Sequence, residues 1–224
     1  MKTEVIITII VVMGFIGLVG FVIVLYRQYE QKRTDALNSL ATSMKLDFSK
    51  ISSDQLLPSL GKFPLFSQGH SRKAKNIMSG KVEEIEIKLF DYRYTTGAGK
   101  HQATHHQTLA VLGSERLDLP SFSLKPQNVF HNIGKAFGYQ DIDFTSNPLF
   151  SDKYLLRASD ENAVRLIFTP DILEYFEQRL GISTEAGGNQ IVFFRAGKKA
   201  KPEELPQFLK DGLHIYTLFK RSGH

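Results

Sequence analysis

The sequence predicts an α+β fold: an N-terminal transmembrane helix continuing into a helical stalk, then one soluble domain with a largely antiparallel sheet and several helices. Three observations carry that expectation. An uninterrupted apolar run fills positions 5–26, and a helical repeat follows it with no proline before Pro58 and no glycine before Gly61. Beyond that, short alternating runs are mixed with capped helices, without regular strand–helix–strand units. The expected divisions are a tail at 1–4, a transmembrane helix at 5–26, a stalk at 27–46 and a soluble domain at 47–224. The chain contains no cysteine, which excludes disulfides, thiolate metal ligands, a catalytic thiol and a lipid-modified cysteine within it.

The run "VIITIIVVMGFIGLVGFVIVLY" has 22 residues, of which 16 are Val, Ile, Leu or Phe. As a helix it would reach about 33 Å, enough for a hydrocarbon core of about 30 Å. Its side chains favour insertion by roughly 5–10 kcal/mol. A secretory signal has a core of about 7–15 residues and then a small-x-small cleavage site. Here the core is longer and no such pair follows, so the segment is expected to stay as a signal-anchor. Lys2 and Glu4 precede it, whereas Arg27, Lys32, Arg33, Lys45 and Lys50 follow it. The positive-inside bias then places the N-terminus outside and the soluble domain in the cytoplasm. The competing orientation keeps Lys2 inside and exports the domain. Gly14, Gly17 and Gly20 recur every third residue, not at the four-residue spacing of a helix-dimer seam, and are expected to be tolerated in lipid.

In the stalk, Leu37, Leu40, Ala41 and Met44 follow the i, i+3, i+4, i+7 spacing of one apolar helical face. The Ser/Gly/Pro/Lys-rich stretch "SSDQLLPSLGKFPLFSQGHSRKAKNIMSG" predicts short helix and loop. "KVEEIEIKLFDYRYTT" alternates in two phases, which predicts a strand with a bulge near Leu89 and Phe90. "HQTLAVLG" is its returning partner, making a hairpin over 82–112 with "TTGAGKHQATH" as the loop. The two prolines of "LDLPSFSLKP" predict an extended edge segment. "NVFHNIGKAFG" predicts a short helix ending at Gly138.

Further along, "KYLLRAS" predicts a strand and "ENAVRLIF" a helix. Thr169 then caps a helix that has Pro170 at its first position and Gly181 past its end. "ISTEAGGNQIVFFRAG" predicts a hairpin turning at "GGN". Leu205, Phe208, Leu209, Leu213, Tyr216 and Phe219 share one helical face, although Gly212 leaves "LHIYTLF" open to a strand.

Familiar chemical motifs fail one after another. "GAGK" at 97–100 lacks the glycine a phosphate loop needs at 94, where Tyr94 stands, and the hydroxyl it needs at 101, where His101 stands. Of His101, His105 and His106, the first two would share a metal-binding face only on a helix, and they fall in a hairpin loop. No Gly-x-Ser-x-Gly elbow occurs. Asp141 and Asp143 are expected to cap or turn the chain. No cofactor and no metal is expected.

Charge is the more informative pattern. Residues 27–100 hold 13 Lys/Arg against 8 Asp/Glu, whereas 101–224 hold 14 of each. The excess lies next to the apolar run, and Arg27, Lys32, Arg33, Arg72, Lys73 and Lys75 are the candidates for contact with lipid headgroups. Aromatic residues are not interleaved with these cations, which disfavours nucleic acid as a partner.

The islands "LFDYRYTTG" (89–97), "QTL" (107–109), "LPSF" (119–122), "DIDF" (141–144) and "LFSDKYLLR" (149–157), behind a single N-terminal span, resemble a family of bacterial single-pass membrane proteins with a soluble domain of unknown function. The resemblance covers about 60–195 and implies a bacterial cytoplasmic membrane and one domain. It implies no reaction, cofactor or catalytic residue, and the histidine pair before "QTL" departs from the basic residues expected there. The expected function is therefore a membrane-anchored cytosolic binding module whose partners are the bilayer and an unidentified protein. The alternative is a membrane-bound enzyme of unknown class, with a site around Asp91, Tyr92 and the 97–106 loop.

Overall fold

The computed structural model describes residues 2–127 and 141–222. Helix α1 (Lys2–Ser43) runs as one element through the apolar segment and the stalk. Ile6 to Tyr26 contribute large apolar side chains between 42% and 67% exposed, with no protein covering them. The first buried positions on α1 are Arg33, Thr34, Leu37 and Ala41, where the helix meets the sheet. This is the one helix among the described residues that is long and apolar enough to cross a membrane.

After α1 come β1 (Asp47–Ile51), α2 (Leu56–Ser59), α3 (Pro64–Ser67), β2 (His70–Val82), β3 (Ile85–Thr96), β4 (Ala103–Gly113) and β5 (Leu119–Pro126). Then follow α4 (Pro148–Lys153), β6 (Tyr154–Ala158), α5 (Glu161–Ile167), α6 (Pro170–Gln178), β7 (Ser183–Gly188), β8 (Gln190–Phe194) and α7 (Leu205–Ser222). The strands form one antiparallel sheet in the order β1-β2-β3-β4-β8-β7-β5-β6. The expected α+β fold, with its long apolar N-terminal helix, antiparallel sheet and several helices, is what the chain adopts.

Both faces of the sheet are covered. On one, Ile87, Leu89, Ala110, Leu112, Ile191 and Phe193 meet Leu37 and Ala41 of α1 and Phe208, Ile215 and Phe219 of α7. On the other, Phe90, Tyr92, Tyr94, Leu109, Val111, Val192 and Phe194 meet Leu56, Leu60, Phe63 and Phe66 from around α2 and α3. This accounts for the double phase of β3. Ile87 and Leu89 enter one core and Phe90, Tyr92 and Tyr94 the other, and the register with β4 is continuous from Glu86 to Thr96. The predicted bulge at Leu89–Phe90 is instead on the neighbouring strand, β2, between Lys75 and Met78. Asn76 sits there with φ 53°, a left-handed conformation that asparagine tolerates better than most residues.

Two further expectations are corrected and one open alternative is decided. The stretch 52–80, expected as helix and loop, holds α2 and α3 and then most of the 13-residue β2, and β1 lies immediately before it. β5 is not an edge: it pairs with both β6 and β7, and its register shift between Leu119 and Phe122 absorbs Pro120. "LHIYTLF" is helical, because Gly212 lets α7 lie close on the sheet; a Cβ there would stand 3.2 Å from the Phe193 ring. The helix expected to end at Gly138 lies outside the described residues.

Candidate functional site

A charge-linked seam joins α1 to the sheet. Arg33 donates from Nε to Asp91 Oδ2 at 2.8 Å and from a terminal guanidinium nitrogen to Oδ1 at 2.7 Å, a two-pronged contact in which Arg33 is 7% and Asp91 8% exposed. Asn76, placed by the β2 bulge, donates to Asp91 Oδ2 at 3.1 Å and accepts from the Thr34 hydroxyl at 3.0 Å. Thr108 on β4 donates to Asp91 Oδ1 at 3.1 Å and accepts from the Ala200 amide at 3.0 Å. Lys199, in the segment after β8, reaches Glu30 of α1 at 3.2 Å and Asp91 at 3.7 Å. Burial pushes the Asp91 carboxyl up, but the Arg33 hydrogen bonds and charge, with Lys199 and Asn76, outweigh it and leave Asp91 below the usual carboxylate range. Removing two charges from water costs several kcal/mol each, so this seam holds only because every lone pair of Asp91 is engaged.

Beside the seam lies a cleft of about 220 Å³, bounded by Tyr26 and Glu30 of α1 and by Lys73, Lys75, Asp91, Arg93, His106 and Lys199. The register explains the gathering. Lys73 lies opposite Arg93, and Arg93 opposite His106; the next row is Lys75, Asp91 and Thr108. Side chains two apart on a strand share a face, so both rows look toward α1. Like charges directly opposite each other on neighbouring strands are destabilising, and Lys73–Arg93 is such a pair. Among the described residues neither forms an ion pair, and Lys75 forms none. Burial, then Lys199 and Arg93, hold the His106 imidazole below its ordinary range, which keeps it neutral at neutral pH.

The six sequence candidates divide. Arg27 and Lys32 are exposed on α1, and Lys73 and Lys75 are exposed on β2 beside the cleft. Arg72 points elsewhere: its guanidinium donates to the Phe66 carbonyl, toward α3. Arg33 is corrected outright, because it is buried against Asp91 and unavailable to a headgroup. Arg93, Lys199 and Glu30 were not among the sequence candidates, and His106 stood there only as part of the 97–106 loop. A sign of them was present: Asp91 stands mid-strand between Phe90 and Tyr92, and a carboxylate in a strand covered on both sides demands cationic partners.

Of the arrangement expected for an enzyme, Asp91, Tyr92 and His106 border the cleft, and the rest of the 97–106 loop does not. Asp91 faces α1, whereas the Tyr92 ring enters the opposite core against Phe66 and Tyr94. In the β3–β4 loop, Gly97 and Gly99 take φ of 74° and 55° around a short 3-10 turn at Gly99–His101. His105 stacks on Tyr94 while His106 faces the cleft, so adjacent histidines lie on opposite faces. Asp141 pairs with Arg157, and the Asp143 carbonyl accepts from Arg165, both of them structural roles.

No family model matches the chain, and no curated protein sequence does. Among solved structures, it is similar to the crystal structure of the mycobacterial trehalose monomycolate transport factor A, TtfA, with 12% identity and a TM-score of 0.62 over 85% of this chain and 93% of that one. At that identity the likeness establishes the shared fold.

Proposed function

We propose that the chain is a single-pass, membrane-anchored binding module of the bacterial cytoplasmic membrane, with its N-terminus outside and its α+β domain held against the cytoplasmic leaflet. The observation that carries this is the construction of α1. An apolar length that no protein covers passes, without a hinge residue, into turns clamped to the sheet by Arg33 and Asp91. Tyr26 to Arg33 spans about 10 Å of helix, so the domain begins immediately below the headgroups. The cations after the apolar run favour the cytoplasmic side. The fold shared with a mycobacterial trehalose monomycolate transport factor is compatible with a binding role of this kind, and the resemblance to a bacterial single-pass family supports the compartment. In this reading the bilayer is one partner and an unidentified protein the second.

The test is protease access. Added to intact cells, protease is expected to leave the domain whole; added to inside-out vesicles, it is expected to cut the loops while sparing the apolar segment. Digestion of the domain in intact cells would reverse the orientation.

A further inference from the structure

We propose that the cleft between α1 and the β2–β3–β4 face binds the phosphate group of an anionic lipid headgroup, with Lys73, Lys75 and Arg93 as its ligands. The proposal rests on α1 being the membrane span. It adds a specific site to that reading.

Four observations support it. First, cations outnumber carboxylates four to two around the cleft, and the two carboxylates are committed, Asp91 to Arg33 and Lys199, and Glu30 to Lys199. Lys73, Lys75 and Arg93 are left with no counter-charge among the described residues. Second, the facing Lys73–Arg93 pair is a local conflict, and such conflicts mark places where a ligand supplies the missing partner. An anion between them converts repulsion into two charge-assisted contacts, with the planar guanidinium suited to two phosphate oxygens at once.

Third, the cleft is small. At about 220 Å³ it falls below the roughly 300–1,000 Å³ of sites that enclose drug-sized ligands, so it accommodates a headgroup and excludes acyl chains. Fourth, its lining includes Tyr26, the last residue of the apolar run, so with α1 in lipid the cleft lies near the depth of the phosphates. A soluble phosphate would offer the same chemistry but has no reason to be found at that depth.

The experiment uses the full chain in a neutral detergent, scored by native mass spectrometry for retained ligand. The probes are phosphatidylglycerol, phosphatidylcholine and inorganic phosphate. The chain is expected to keep phosphatidylglycerol in preference to both others. Lys73→Gln with Arg93→Gln is expected to cut that retention roughly tenfold or more, while Lys81→Gln with Lys210→Gln, at exposed positions outside the cleft, leaves it within about twofold. Because the cleft variant relieves a like-charge pair, its unfolding temperature without lipid is expected to hold or rise. Equal retention by both variants overturns the site, and a lowered unfolding temperature overturns the claim that the pair is uncompensated. Inorganic phosphate retained as well as the lipid overturns the lipid source. If the site fails while the chain still fractionates with membranes, the anchored-module reading stands. If the chain is recovered in solution, both fall.

Discussion

Asp91 occupies a position where an aliphatic residue would ordinarily be expected. Its neighbours Phe90 and Tyr92 enter one core while it faces α1 and takes hydrogen bonds from Arg33, Asn76 and Thr108. Asp91→Asn strands the buried guanidinium and is expected to cost about 3–5 kcal/mol by chemical denaturation. Replacing both partners, Arg33→Met with Asp91→Leu, is expected to recover most of that loss, since a well-packed apolar pair is often neutral or better. The pH dependence follows in sign. Asp91 is depressed in the folded state, so its contribution is fully present above the unfolded carboxylate value of about 4 and is lost as pH falls through the lower folded value. Acid titration of stability should therefore be shallower below about pH 4 in Asp91→Asn than in the parent. At this scale the sequence was half legible: "LFDYRY" advertised a buried carboxylate, but nothing in it named Arg33, 58 positions earlier, as the partner.

Among the elements, those with regular spacing were recovered and those with interrupted spacing were not. The β3–β4 and β7–β8 hairpins, β6, α5 and α6 fall where alternation and caps placed them. β2 was missed because positive φ at Ser71 and Asn76 resets its phase twice, so its 13 residues never alternate for long. β5 was demoted to an edge by its prolines, although one sits at a register shift and the other ends the strand opposite Tyr154. Gly212 shows how a poor helix former can be required by packing. A Cβ would meet Phe193 at 3.2 Å, with Leu112 and Ala110 just beyond. Gly212→Val should therefore destabilise by about 1–3 kcal/mol, readable in thermal unfolding, despite removing a glycine from a helix interior. A neutral or stabilising result would mean that α7 shifts off the sheet at little cost.

For the whole molecule, fold class was readable because it depends on local pattern, whereas the cleft was not, because strand order assembles it. Its residues come from α1, β2, β3, β4 and the segment after β8, which is brought to β4 only by the β4–β8 pairing. Long-range pairing of that kind leaves no trace in spacing. The unbroken α1 does permit a prediction at this scale. Seven helix-forming residues inserted after Tyr26 add two turns, keep the bearing of the domain and raise it by about 10 Å. Energy transfer from a label at position 73 to labelled headgroups should fall accordingly; unchanged transfer would reveal a joint where none is seen.

No glycine or proline lies between Gly20 and Pro58, and the far end of α1 is bolted to β3 through Arg33 and Asp91. A mast stepped this firmly heels with the hull. Whenever thinner lipid obliges the rod to lean, the sheet and the cationic rows it carries must lean by the same angle, so the thickness of the surrounding bilayer is written into how the domain meets its surface.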